Sequence, residues 1–182
     1  MKYGAKELAF SLPFVEGLES SIEFRQWVFM KTPLAYLASN CELLSEEMKA
    51  KRPNSEYYWR SFYTEKCRCP GCSGQETDIL SIFQSNCKSR FSLHIEVKQP
   101  TDTFKQDGKQ AENYGIRAAC WAEQKKGPKS LVDHDRFATA LLCSSHKLVD
   151  FESHLGYFDT IMTFEEIEVN FPGMYSKELL AA

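Results

Sequence analysis

The sequence lacks the local signatures of nucleotide-phosphate and serine-hydrolase chemistry: it has no glycine-rich phosphate loop, and Ser144 and Ser145 sit in no nucleophile elbow. It has no low-complexity stretch and no internal repeat, which sets aside disordered tails and solenoids. Long apolar runs are missing too. The stretch from Leu8 to Val15 is short, is flanked by Glu7 and Glu16, and has no small-residue cleavage pattern, so it reads as neither a signal peptide nor a membrane span. There is also no excess of positive charge: the formal charge is −3 and the pI is near 5.9, so the molecule as a whole lacks the basic footprint common in nucleic-acid binders. The seven cysteines are an odd number spread along the whole chain, which fits reduced thiols in the cytoplasm and argues against a disulfide framework.

What is present is an ordinary globular composition, 43% hydrophobic and 26% charged over 182 residues, enough to bury one proper core. Residues 1–182 are therefore expected to form a single domain, with a helical N-terminal segment (1–53) ahead of a core of sheet and helices (57–167). Charge is unevenly spread. Residues 49–68 hold six Lys or Arg against two Glu, whereas 150–178 hold seven acids against one Lys, which leaves room for a basic face.

Periodicity predicts a helix over Ile22 to Met30 and another from Leu34 to Lys51, begun at Pro33 and stopped by Pro53 and Asn54. From Tyr57 the pattern turns to aromatic-rich strand. Tyr57 to Thr64, Thr77 to Gln84 and Phe91 to Lys98 are three successive strand candidates, and the short connections imply antiparallel neighbours. Thr103 with Gln106 has the spacing of a capping box for a helix reaching about Gln124, ended by Gly127 and Pro128. A buried strand at Phe137 to Ser144, a helix at His146 to His154, a strand at Tyr157 to Met162 and a short helix capped by Thr163 and Glu166 complete the order. This is an α/β chain with a central mixed β-sheet flanked by helices.

The chemistry concentrates in Phe91-Ser92-Leu93-His94-Ile95-Glu96-Val97-Lys98, where strand alternation puts Glu96 and Lys98 on one face with His94. Closing the hairpin at Ser85 to Arg90 sets Asp78 opposite residues 96–98. Cross-strand carboxylates lie roughly 5 Å apart at Cβ and repel unless a proton or cation is shared. A hard divalent cation, Mg²⁺ or Mn²⁺, relieves that repulsion and leaves coordination positions for water and phosphate oxygens. Lys98 then has a role in orienting or deprotonating the attacking water and in offsetting charge at the phosphate. The pattern depends on register, since a slip of one residue turns Asp78 to the other face.

Thr77-Asp78-Ile79, a hairpin, then Ile95-Glu96-Val97-Lys98 resembles the PD-(D/E)XK nuclease superfamily, and the following Gln110-Ala-Glu-Asn-Tyr114 resembles the Gln-x-x-x-Tyr motif of several of its branches. The likeness spans about Trp59 to Ile167; no Pro precedes Asp78. It implies a restriction-endonuclease-like fold and a metal-dependent nuclease acting on DNA, in restriction, repair or mobile-element biology. It further implies Asp78, Glu96 and Lys98 as catalytic residues, with Asp78, Glu96 and the Val97 backbone carbonyl on Mg²⁺ or Mn²⁺, and an upstream acid, Glu47 or Glu56 for instance, completing the shell. Gln110, Tyr114 and Arg117, which share a helical face with Trp121, are the candidate substrate-binding residues. The alternative is a nuclease-like binding or scaffold module without catalysis. Nucleic acid, a second copy of the chain and no membrane are the expected partners.

Cys67-Arg68-Cys69-Pro70-Gly71-Cys72 packs three thiols into one turn and looks like half of a structural zinc site. The fourth ligand is open. Cys87 follows in sequence but at the far end of a strand on the order of 25 Å long; Cys41, a histidine or a partner chain are the other sources. The four histidines are scattered without ligand spacing.

Overall fold

The computed structural model describes residues 5–63, 69, 71–72, 75–104, 109–123 and 128–180. Helix α1 (Ala5–Ser20) runs into α2 (Ile22–Met30), whose start is capped by the Ser21 hydroxyl accepting from the Phe24 amide at 3.0 Å. The helix expected over Leu34 to Lys51 is broken into a 3₁₀ turn at Ala35–Leu37, a short strand β1 (Glu42–Leu43) and helix α3 (Ser45–Lys51). Sheet pairing overrides helical periodicity here. Asn40 turns the chain with φ of 55°, Glu42 and Leu43 pair with Gln84 and Phe83, and the Leu44 amide donates to the Ile82 carbonyl at 2.8 Å.

Strand β2 (Arg60–Tyr63) is the trimmed form of the strand expected from Tyr57. It is followed by β3 (Glu76–Gln84), β4 (Arg90–Lys98), helix α4 (Lys109–Ala122) and β5 (Arg136–Cys143). The Thr103 and Gln106 box falls on Gln106, outside the described residues. The single helix expected over His146 to His154 is instead a 3₁₀ turn at Ser145–Lys147 and a short α5 (Glu152–Leu155), because Glu165 ties back the Ser145 amide at 2.8 Å and bonds the Ser144 hydroxyl. Strand β6 (Thr160–Thr163), α6 (Phe164–Asn170) and α7 (Lys177–Leu180) end the chain, with Thr163 capping α6 through the Glu166 amide as its spacing predicts.

The six strands form one mixed sheet in the order β1-β3-β4-β5-β6, with β2 beside β1 on the outer edge of β3. Pairing is antiparallel from β1 and β2 through β3 to β4, and parallel from β4 through β5 to β6, the crossover to β5 being made by α4. Central β4 is buried on both faces from Phe91 to Lys98, so its polar residues are enclosed by protein. Phe29 of α2 packs edge-on against Phe83 and Phe91 of the sheet, with Phe10, Phe14 and Phe24 in the same core; α4 brings Ala111, Tyr114, Ala118 and Trp121, at helical spacing, onto the sheet. No described helix is long and apolar enough to cross a membrane.

Candidate functional site

The β3–β4 ladder ends with Ile79 paired to Ile95, and Asp78 and Glu96 are the next residues beyond that last pair on the two strands. Asp78, Glu96 and Lys98 are thus brought into one buried cluster. Asp78 Oδ2 accepts from the Val97 amide at 2.8 Å, and Lys98 Nζ lies 2.6 Å from Glu96 Oε1. Gln110, from the first turn of α4, donates its amide to Glu96 Oε1 at 2.8 Å and accepts from Lys98 at 3.3 Å. Lys98 also sits over the Phe104 ring, 4.7 Å from its centroid. Among the described residues no donor is bonded to the buried Glu96 Oε2; the Tyr114 hydroxyl lies near the Glu96 carboxylate but gives its proton to the Ile95 carbonyl.

Like charge and burial act together here. The Asp78 carboxyl titrates well above its ordinary range, first because burial penalises the anion, then because Glu96 and Glu7 add negative charge. Glu7, in the first turn of α1, is the upstream acid that faces this cluster. Burial pushes its carboxyl up as well, against the opposing pull of Arg60 at 3.2 Å, while Glu76 and Glu96 push in the same direction as burial. Neither upstream acid expected from the sequence is placed to serve. Glu47 pairs with Arg90 at 3.0 Å, at the opposite end of β4 from Glu96, and Glu56 is exposed in the turn before β2.

Tyr114 and Arg117 are fully buried, with their polar atoms committed to protein. The Tyr114 hydroxyl donates to the Ile95 carbonyl and accepts from the Asp78 amide, both at 3.2 Å, so it ties β3 to β4 at the level of the cluster. Arg117 donates to Thr77 Oγ1 (2.8 Å), the Gly71 carbonyl (2.9 Å) and the Glu76 carbonyl (2.8 Å). Most of the stripe expected to meet substrate is therefore internal bracing, with Trp121 buried beside His94, while Gln110 bonds Glu96 and Lys98 directly. His94 shares the strand face with Glu96 but is enclosed, its Nε2 3.0 Å from Ser92 Oγ. In the basic run, Arg52 donates to the Tyr58 and Arg60 carbonyls and stacks on Phe62, Arg60 pairs with Glu7, Lys49 pairs with Glu46, and Lys66 and Arg68 lie outside the described residues.

A second cluster lies across α4. Cys69, Cys72 and Cys120 hold their sulfurs within 4.8 Å of one another, an arrangement that could hold a metal ion. Cys67 lies outside the described residues, and Cys87 is exposed in the β3–β4 turn, away from this group. Cys120 escaped sequence reasoning because it stands alone in a helix, 48 residues after Cys72; its only signal is position, three residues after Arg117, on the flank of the buried stripe. Glu7 had no signal at all.

No family model, no curated protein and no solved structure matches this chain.

Proposed function

We propose that the protein is a metal-dependent nuclease that hydrolyses phosphodiester bonds in DNA. Asp78, Glu96 and the Val97 carbonyl would hold Mg²⁺ or Mn²⁺, with Glu7 adding negative charge behind them. The observation that carries this reading is Glu96 Oε2, a buried carboxylate oxygen without a hydrogen-bond partner among the described residues, beside an Asp78 carboxylate that its surroundings disfavour. A hard dication answers both faults, and these acids are the oxygen donors it prefers. Such a cation supplies Lewis acidity toward a phosphate oxygen and acidifies water. Lys98 would orient the attacking water and offset charge growing on the phosphate. Gln110, bonded to both Glu96 and Lys98, keeps their spacing; Tyr114 holds the two strands in register beneath them. The cysteine group we read as a structural Zn²⁺ site.

One observation favours a second reading, a nuclease-like scaffold without catalysis: Glu96 is only 1% exposed and already paired with Lys98. Calorimetry with Mn²⁺, together with cleavage of plasmid and linear DNA, separates the two. The nuclease reading requires Mn²⁺ binding and Mg²⁺- or Mn²⁺-dependent cleavage by the wild type, both lost in Glu96→Gln with the fold intact. A wild type that binds no Mn²⁺ and cuts no nucleic acid establishes the scaffold instead.

A further inference from the structure

The three thiols come from two segments that nothing in the sequence ties together. Cys69 and Cys72 flank a turn closed by the Cys72 amide donating to the Cys69 carbonyl at 3.0 Å, and Cys120 projects from the last turn of α4. Zinc–thiolate bonds of about 2.3 Å in a tetrahedron put sulfurs about 3.8 Å apart. Sulfurs that all lie within 4.8 Å of one another therefore need to close by about 1 Å at most, an adjustment of side-chain torsions. Thiolate donors select soft or borderline metals over Mg²⁺ or Ca²⁺, so this group and the carboxylate group would sort two different ions. Each thiol gives its proton to solvent on binding. Three protein sulfurs leave the fourth position to a further donor.

The turn that carries Cys69 and Cys72 is pressed against α4. A Cβ at Gly71 would lie 2.7 Å from Ile116 Cβ and 3.0 Å from the Arg117 amide nitrogen, so only glycine permits this approach. The Gly71 carbonyl accepts from Arg117, which also grips Thr77 and Glu76 at the start of β3. Thr77 adjoins Asp78. A continuous set of direct contacts therefore runs from the cysteine turn through one buried guanidinium to the backbone that presents the Asp78 carboxylate.

Resting on the metal-dependent reading above, we propose that Zn²⁺ held by Cys69, Cys72 and Cys120 is a latch on the catalytic strand. It fixes the turn to α4 and, through Arg117, fixes residues 76–78, so that zinc occupancy sets the affinity of Asp78 and Glu96 for their own cation. Zinc is the fitting ion because its role here is geometric: it takes sulfur ligands in a tetrahedron and has no redox chemistry. Arg117 acts in this scheme as a positioning residue.

The test uses the full chain. Elemental analysis of protein reconstituted with Zn²⁺ and desalted should find about one zinc per chain in the wild type and little in Cys120→Ser or Cys69→Ser, the second variant guarding against one that fails to fold. Hydrogen exchange of peptides spanning residues 71–80 and 114–121 should slow when zinc is restored to the zinc-free wild type. Mn²⁺ calorimetry on the same two states should show binding weakened about tenfold to a hundredfold without zinc, the range seen when groups behind a metal's ligands are lost. The thiol site is overturned if the wild type takes up no zinc, if both cysteine variants keep it, or if an iron–sulfur chromophore appears instead. The latch is overturned if exchange at 71–80 ignores zinc, or if Mn²⁺ affinity does. Failure of the nuclease reading looks different: Mn²⁺ binds neither state, while zinc stoichiometry and exchange still report on the cysteine site.

Discussion

Replacing Asp78 by asparagine should make the protein more stable in the absence of Mg²⁺ and Mn²⁺. Unit charges on the facing carboxylates, about 5 Å apart, repel by about 3 kcal/mol at an effective dielectric of 20. Lys98, 2.6 Å from Glu96, already offsets part of this. The substituted amide would keep an oxygen to accept from the Val97 amide, so the hydrogen bond at 2.8 Å survives while the charge goes. The sign follows from linkage. The folded-state pKa of Asp78 lies above its unfolded value, so its contribution to stability is full below the ordinary aspartate range and is lost as pH rises through the folded value. At about pH 7.5, well above the ordinary aspartate range, the buried carboxyl is therefore a net burden on folding, whether it stays charged or has to take up a proton. A gain of about 1–3 kcal/mol corresponds to a Tm rise of about 3–10 °C for a chain of this length. The assay is thermal unfolding by circular dichroism in buffer passed over chelating resin, with zinc content checked. Mn²⁺ at about 100 times its Kd should then add about 2.7 kcal/mol to the wild type and nothing to Asp78→Asn. A variant less stable than the wild type without Mn²⁺, or one that gains as much as the wild type on adding it, refutes the like-charge argument.

Other consequences are simpler. His94 and His134 are held neutral, chiefly by burial, and both titrate below the ordinary histidine range. Their contribution to stability is full above about pH 6.5 and falls as pH drops toward their folded values, so urea midpoints should decline between about pH 6.5 and 5. Asp78 and Glu7 titrate in the opposite sense, so the comparison is between proteins: the wild type should lose more than His134→Gln over that window, and equal losses refute the assignment. Lys88, in the β3–β4 turn with φ of 64°, occupies a region that costs a side-chain-bearing residue about 1–2 kcal/mol. Lys88→Gly should therefore raise the urea midpoint by the equivalent of about 0.5–1 kcal/mol, and a lower midpoint would show that the turn is not left-handed there.

Much of the candidate site was readable from a short window because strand geometry is local. Alternation alone puts Glu96 and Lys98 on one face, and a hairpin with a short turn puts Asp78 across from them; the ladder ends at Ile79 and Ile95, and the Val97 amide bonded to Asp78 closes the next step. The capping of α6 by Thr163 is equally local. Shared periodicity also grouped Gln110, Tyr114, Arg117 and Trp121, but a helical stripe does not say whether it faces ligand or core. Only the sheet packed beneath α4 decides that Gln110 reaches Glu96 while Tyr114 and Arg117 turn inward. The stretch from Leu34 to Lys51 follows helical periodicity, yet the unsatisfied edge of β3 pulls Glu42 and Leu43 into a strand. Glu7 joins Asp78 from 71 positions away, and Cys120 joins Cys69 and Cys72 from 48 positions past Cys72. Side-chain direction along one element follows from its repeat, and the sequence carries it; convergence of distant segments follows from how buried surfaces fit together, which exists only once the chain has packed.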